Sequence, residues 1–401
     1  MTTGTADTRA AVATQLVARP RFAALPPLSL YVHVPWCVRK CPYCDFNSHE
    51  ARGELPESGY VEALIADLDQ ALPLVWGRRV YTVFFGGGTP SLLSAKALDA
   101  VLSAIRARVP LAVDAEVTLE ANPGTFETEK FAGFRAAGVN RLSIGIQSFA
   151  PHHLKALGRI HDAVQAVRAV EIAREHFANF NLDLMYALPG QTLAEARADV
   201  QRALQYEPPH LSIYHLTIEP NTYFHSHPPA VPDADAAAEM QQAIESITAD
   251  AGYEHYETSA YARTGRRSRH NVNYWNFGDY LGIGAGAHSK LSLPDRILRQ
   301  ARYRQPGEYM TRVAAGGAVQ SEHEVPVRDI PFEFMMNALR LNGGFPLSLF
   351  EERSGLPLTH ALKGLDEAER RGLIVRDHRH VAPTELGRRF LNDLLQIFLP
   401  S

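Results

Sequence analysis

Cys37, Cys41 and Cys44 are the only cysteines among the 401 residues, and they sit together in the stretch YVHVPWCVRKCPYCDFNSHE with the spacing C-x3-C-x2-C. Three thiols cannot all pair within one chain, and a reducing compartment keeps them free for metals or catalysis. Two centres suit them. A structural zinc wants four ligands and could draw the fourth from His33 or His49, although no second cysteine pair supplies the balance. A four-iron cluster held by three thiolates leaves one iron without a protein ligand, and that iron is open to a chelating cofactor or substrate.

The elements that must position these thiols follow a rhythm. Short β-branched or aromatic runs, LSLYVHV, VYTVFF, EVTLE, RLSIGI, FNLDLMYAL and HLSIYHLTI, alternate with helix-like segments such as YVEALIADLDQAL and DAVQAVRAVEIAREHF. Six strands separated in this way predict an α/β fold with a parallel sheet, curled or open. Working sites in such sheets lie at the carboxyl ends of the strands. The cysteine run follows the first strand, GGGTP the second, LEANPG the third, GIQSF the fourth and LMYALPG the fifth. The glycines of GGGTP let backbone come close to a ligand.

Composition narrows the class. The hydrophobic content of 46% supports a large core, and a formal charge of -4 gives no general attraction to nucleic acid or anionic lipid. No window approaches the roughly 18 apolar residues of a membrane span, and the start of the chain lacks a signal-peptide core. The expectation is a cytoplasmic protein that meets membranes only through partners.

In this setting C-x3-C-x2-C after the first strand, with Tyr43 just before the last cysteine, resembles the radical S-adenosylmethionine (SAM) superfamily. The resemblance implies an incomplete (β/α)6 barrel and a [4Fe-4S] cluster on Cys37, Cys41 and Cys44. The free iron would chelate SAM, and an electron from the cluster would cleave SAM to a 5'-deoxyadenosyl radical. LYVHVPWCVRKCPYCDFNSH, FFGGGTPSLL, LEANPG, RLSIGIQSF, LGRIHD, FNLDLMYALPGQT and HNVNYW extend the likeness to the oxygen-independent coproporphyrinogen III oxidase family and its HemW-type haem-chaperone branch. Carried over by position, Tyr31 and Tyr43 would flank SAM, and Gly87 and Gly88 would approach its methionine end. Glu120, Gln147, Arg159 and Asp183 would contact its polar groups. Each has a plainer reading: Glu120 as a cap on NPG, Arg159 as a partner of Asp162, Asp183 as a satisfied strand-end carboxylate.

Two features separate the branches. The oxidase motif continues to a fourth cysteine, where this chain has Phe46, so porphyrinogen decarboxylation is the alternative rather than the leading reading. His270, Asn271, Tyr274 and Trp275 match the HNxxYW motif of the chaperone branch. Imidazole ligates haem iron and aromatics stack on a macrocycle. The competing reading is a structural turn whose aromatic residues plug the barrel. The resemblance implies haem as cargo and acceptor haemoproteins, respiratory ones among them, as partners. It names no catalytic residue and leaves a homodimer open.

The expected organisation is a flexible leader over 1–26, the partial barrel over 27–228, a linking region with the HNxxYW segment over 229–325, and a winged-helix-like module over 326–401. Its helix THALKGLDEAERRG mixes both charges, which argues against a DNA-recognition role.

Overall fold

The computed structural model describes residues 19–125 and 128–400. The six expected strands form at Leu28–Val34 (β1), Val80–Gly87 (β2), Leu111–Ala121 (β3), Arg141–Gln147 (β4), Phe180–Tyr186 (β5) and His210–His215 (β6). They pair in chain order and all in parallel. Parallel neighbours need crossovers, supplied by helices Glu57–Val75, Ala95–Arg108, Thr128–Ala137, Ala163–His176 and Leu193–Leu204.

Alternation along each strand sorts the residues to two faces. Leu28, Leu30, Val32 and Val34 of β1, with Val83, Phe85, Leu142, Ile144, Leu182 and Leu211 of its neighbours, join the core that the helices cover. The opposite set is polar and bonds across the strands. Thr82 Oγ1 donates to Ser29 Oγ at 2.8 Å and Asn181 Nδ2 to Ser143 Oγ at 2.8 Å. A sheet with an apolar outer face and a hydrogen-bonded inner face is built to hold ligands inside the curve.

The sheet runs on past both ends of this array. Glu254–Glu257 (β7) and Ala260–Ala262 (β8) extend it beyond β6 in antiparallel pairing. On the other side Asp279–Ile283 (β9) lies parallel to β1, followed by antiparallel His288–Leu293 (β10), Arg296–Arg302 (β11) and Val319–Glu324 (β12). The order is β12-β11-β10-β9-β1-β2-β3-β4-β5-β6-β8-β7. β6 never meets β1, so the barrel is incomplete. Much of the stretch read as a linking region therefore belongs to the same sheet.

The C-terminal segment has its own core, in which Phe334, Phe345, Phe350, Leu365, Ile374, Val381 and Leu394 pack with Phe277 and Ile297. Helices Ile330–Ala338, Ser348–Ser354 and Thr359–Arg370 surround a three-stranded wing of Phe345–Pro346, Ile374–Arg376 and His380–Pro383. The final helix expected at ELGRRFLNDLLQIFL is two, Glu385–Arg389 and Leu391–Gln396. The break at Phe390 turns Leu394 and Phe398 into the core. On Thr359–Arg370 and beyond, Glu367 pairs with Arg370 and Arg371, while Asp366 and Glu369 pair with Arg376.

Of the leader read over 1–26, residues 1–18 lie outside the described residues. The rest is held rather than flexible, because the Arg21 N–H donates to Gly355 O at 2.7 Å and Phe22 packs against the C-terminal core. Among the described residues no helix is long and apolar enough to cross a membrane.

Candidate cofactor site

A cavity of about 340 Å³ opens at the carboxyl ends of the barrel strands, lined by all three cysteines. Their loop leaves β1 and is turned by the Cys44 N–H donating to Cys41 O at 3.2 Å. It is tied back to the strands through His33. His33 Nε2 lies 2.9 Å from Asn47 O, an acceptor only, so that nitrogen carries the proton and Nδ1 accepts from Tyr31 OH at 3.0 Å. Burial holds the His33 pKa down at about 4, consistent with a neutral ring.

Seven of the eight residues expected around SAM line this cavity: Tyr43, Gly87, Gly88, Glu120, Gln147, Arg159 and Asp183. Tyr31 lies beneath it, its ring close to Gly86. Gly87 has φ +116°, and its N–H donates to Glu120 Oε2 at 3.0 Å. A Cβ on Gly88 would stand 2.5 Å from Trp36 O. These glycines thus let the end of β2 press against the start of the cysteine loop. Gln147 adopts φ +66° at a register shift between β4 and β5. A non-glycine residue in that region is strained, and such strain concentrates at working sites.

Arg159 organises the rim. Its Nη1 lies 3.4 Å from Cys41 Sγ, and Nη2 donates to Gly145 O at 2.9 Å and to Asn122 Oδ1. Asn122 Nδ2 in turn donates to Thr89 Oγ1 at 2.9 Å. The expected alternative partner, Asp162, instead caps helix Ala163–His176. Two carboxyls also line the cavity. Burial, then the charge of Asp183, pushes Glu120 up to about 8. Burial pushes Asp183 up to about 6, against hydrogen bonds from Ser143 and Asn181. At neutral pH such a pair carries about one negative charge, which a cationic ligand group would favour. Asn122, Met185 and Tyr214, which sequence reasoning passed over, also line the cavity, as does His215, one of several histidines that compete with His270 as a haem ligand. Their position at or one residue from a strand end was the available signal.

The thiols fit a cluster better than a single ion. Three thiols without a second cysteine pair fall one ligand short of a structural zinc, whereas a four-iron cluster needs only three. His33, one proposed fourth zinc ligand, has both ring nitrogens engaged. Burial raises the Cys37 and Cys44 thiols above their ordinary range, so a bound metal is what would favour the thiolates.

The HNxxYW residues are elsewhere. Helix Arg269–Trp275 packs at the amino ends of the strands, with His270 1% exposed. His270 Nδ1 lies 2.8 Å from Thr82 Oγ1, its ring stacks on Phe84 at 4.9 Å, and Nε2 has no hydrogen-bond partner. Asn271 gives its N–H to the capping Ser268 Oγ at 3.4 Å. Tyr274 packs edge-on against His270 and Tyr280, and Arg340 sits over the Trp275 ring at 4.3 Å. Burial drives the His270 pKa down to about 3.

Residues 31–203 match the radical SAM superfamily and residues 325–390 the HemN C-terminal domain. The chain is 50% identical to the haem chaperone HemW of Escherichia coli over 94% of this chain and 99% of that one. With HemW of Haemophilus influenzae it shares 46% over 94% and 98%. A mouse mitochondrial protein, radical S-adenosyl methionine domain-containing protein 1, is 37% identical over 96% and 92%. The solved coproporphyrinogen III oxidase HemN of Escherichia coli shares the fold, with a TM-score of 0.79 at 24% identity over 93% of this chain and 90% of that one. The thiol-lined mouth of an open parallel barrel, the HemN-type C-terminal module and near-full-length likeness agree: the chain belongs to the HemW family of radical SAM proteins.

Proposed function

We propose that this protein is a cytoplasmic haem chaperone that binds haem and passes it to acceptor haemoproteins, respiratory enzymes among them. The observation that carries the reading is the likeness over 94% of the chain to a protein named haem chaperone HemW. Membership of the superfamily implies a [4Fe-4S] cluster and SAM. Cys37, Cys41 and Cys44 would hold the cluster, which together with SAM would supply one-electron chemistry at the barrel mouth. Around it Arg159 holds Cys41, Gly87 presents its N–H beside Glu120, and the Glu120–Asp183 pair offers a carboxyl face to an ammonium.

Coproporphyrinogen III oxidation is less well supported. Phe46 stands where that enzyme's motif has its fourth cysteine, and the chain holds no other thiol to replace it. Phe46 is 60% exposed at the cavity rim.

For the haem seat we propose His270, with Tyr274 and Trp275 as flanking aromatics and Asn271 as part of the same helix. Its unpartnered Nε2 supports ligation, and its burial means that the helix must open first. A second reading places haem at the cavity, where His215 and Met185 supply side chains able to meet haem iron. An anaerobic haem titration of the cluster-loaded protein tests both. Near-stoichiometric binding, weakened by His270→Ala and not by His215→Ala, supports the first seat. The reverse supports the second. Absence of retained haem removes the chaperone reading and turns attention to SAM-dependent decarboxylation.

A further inference from the structure

Two elements outside the cofactor cavity bring imidazoles and a carboxylate together. His152 and His153 lie on the short helix Pro151–Ala156 that follows β4, and Glu195 lies in the first turn of helix Leu193–Leu204. We propose that His152, His153 and Glu195 form a binding site for a divalent ion of the zinc class, its remaining position taken by water.

The geometry is close to what such an ion needs. Among the described residues this is the group whose ligand atoms all lie within 4.8 Å of one another. His152 Nε2 stands 3.0 Å and His153 Nε2 3.7 Å from the Glu195 oxygens. Tetrahedral ligands at ~2.0–2.1 Å from zinc stand about 3.3 Å apart. The same carboxylate faces both rings: His153 Nε2, 3.7 Å from Glu195 Oε2, is within ion-pair reach but beyond a hydrogen bond, and His153 is 1% exposed with neither ring nitrogen hydrogen-bonded. A buried imidazole without a hydrogen bond asks for one, and an ion between Nε2 and the carboxylate would satisfy it.

The frame is fixed independently of any ion. Asp199, one helical turn beyond Glu195, accepts from the Phe149 N–H at 2.7 Å and from Ser148 Oγ at 2.6 Å. This pins the segment before the histidines to the helix that carries the carboxylate. Glu195 Oε2 is held by the Thr192 N–H and hydroxyl, each at 2.8 Å. His152 is 62% exposed at its side chain, which leaves a path for entry and room for water. Imidazole and carboxylate together suit zinc and its neighbours rather than calcium or magnesium. His153 Nδ1 lacks the acceptor that usually orients a metal-binding histidine, so the affinity falls below that of a four-ligand structural zinc.

The same segment continues to Leu157, packed beside Tyr43, and to Arg159, which reaches Cys41. A bound ion therefore clamps the arm that delivers Arg159 to the cofactor cavity.

The test uses full-length, cluster-loaded protein freed of loose metal by dialysis against a chelator, then titrated with zinc chloride by calorimetry. One equivalent should bind, with zinc-edge absorption showing nitrogen and oxygen neighbours and no sulfur. The exposed variant His152→Ala should weaken binding at least about tenfold with the iron and sulfide content unchanged, and Glu195→Gln should do the same. Failure to bind zinc, sulfur in its shell, or undiminished binding by His152→Ala overturns the proposal. Because haem plays no part in the titration, the outcome is separate from that of the chaperone reading.

Discussion

Glu120→Gln should make the cofactor-free protein more stable and bind SAM less well, and the gain should grow with pH. Glu120 titrates at about 8 in the fold against an ordinary 4.5, chiefly because it is buried and secondly because Asp183 is near. A carboxyl whose folded pKa is raised keeps its proton longer in the native state than in the unfolded one. Stability therefore falls as pH rises through that interval and levels off above the folded value. At about 1.36 kcal/mol per pH unit, an interval of about 3.5 units amounts to at most ~5 kcal/mol. Glu120 borders the cavity, and water there relieves part of this. The amide removes the charge yet can still accept the Gly87 N–H through its oxygen. Urea unfolding of both proteins at several pH values from 5 to 9 reads the effect. The curves should converge near the low end and separate steadily to about 8. At the same time SAM affinity, measured by equilibrium dialysis, should drop, since an amide cannot pair with an ammonium as a carboxylate does. Parallel stability curves across that range would refute the argument, and so would unchanged SAM binding.

Gly88→Ala would drive a Cβ into Trp36 O at 2.5 Å, with backbone on both sides held by the Gly88 N–H to Val34 O and the Thr89 N–H to Trp36 O. It should cost about 1–3 kcal/mol and lower the iron and sulfide retained after reconstitution. Gly343→Ala, where a Cβ meets nothing within 4 Å, should stay within about 0.5 kcal/mol. Phe22→Ala removes a partly buried ring that packs on the C-terminal core and should lower the unfolding free energy by about 1–2 kcal/mol, less than the ~3–5 of a fully buried ring, seen as an earlier urea midpoint with cluster content intact.

What the sequence carried, it carried locally. The six barrel strands were legible because each combines an apolar outward set with polar inward positions, as in LSLYVHV, and because a helix separates each pair. The cofactor site was legible because three thiols within one loop constrain the chemistry before any folding is known. The extra strands were not. VQSEHE of β12 is exposed along nearly its whole length and shows no apolar alternation, since an edge strand with solvent on both faces needs none. Asn122 and His215 stand at carboxyl ends of their strands, but which strand-end side chains share one cavity is set by how strands distant in sequence are placed side by side. The HNxxYW segment has the pattern of a short helix, but nothing local says which end of the barrel it closes. That end is decided by Glu116, Thr82 and Ser29, all remote in sequence.

Those contacts also make the haem seat decidable. Glu116, 6% exposed, accepts the His270 N–H at 3.1 Å and the Arg269 N–H at 3.2 Å, so one buried carboxylate holds the start of the helix. Asn273 Nδ2 adds a bond to Ser29 Oγ at 2.9 Å. With His270 sealed against Phe84 and Thr82, a macrocycle cannot reach Nε2 while the helix is seated. Binding there must follow opening, and its apparent strength is scaled by the open fraction. Glu116→Ala leaves two N–H groups unpaired in the closed form and should favour opening by about 2 kcal/mol, some 30-fold at 1.4 kcal/mol per decade. Stopped-flow mixing with haem should then show association accelerated by that order, while Glu116→Gln, which keeps an accepting oxygen, falls between. A rate untouched by either substitution would mean that haem enters elsewhere, and the cavity beside His215, already open to solvent, would become the place to look.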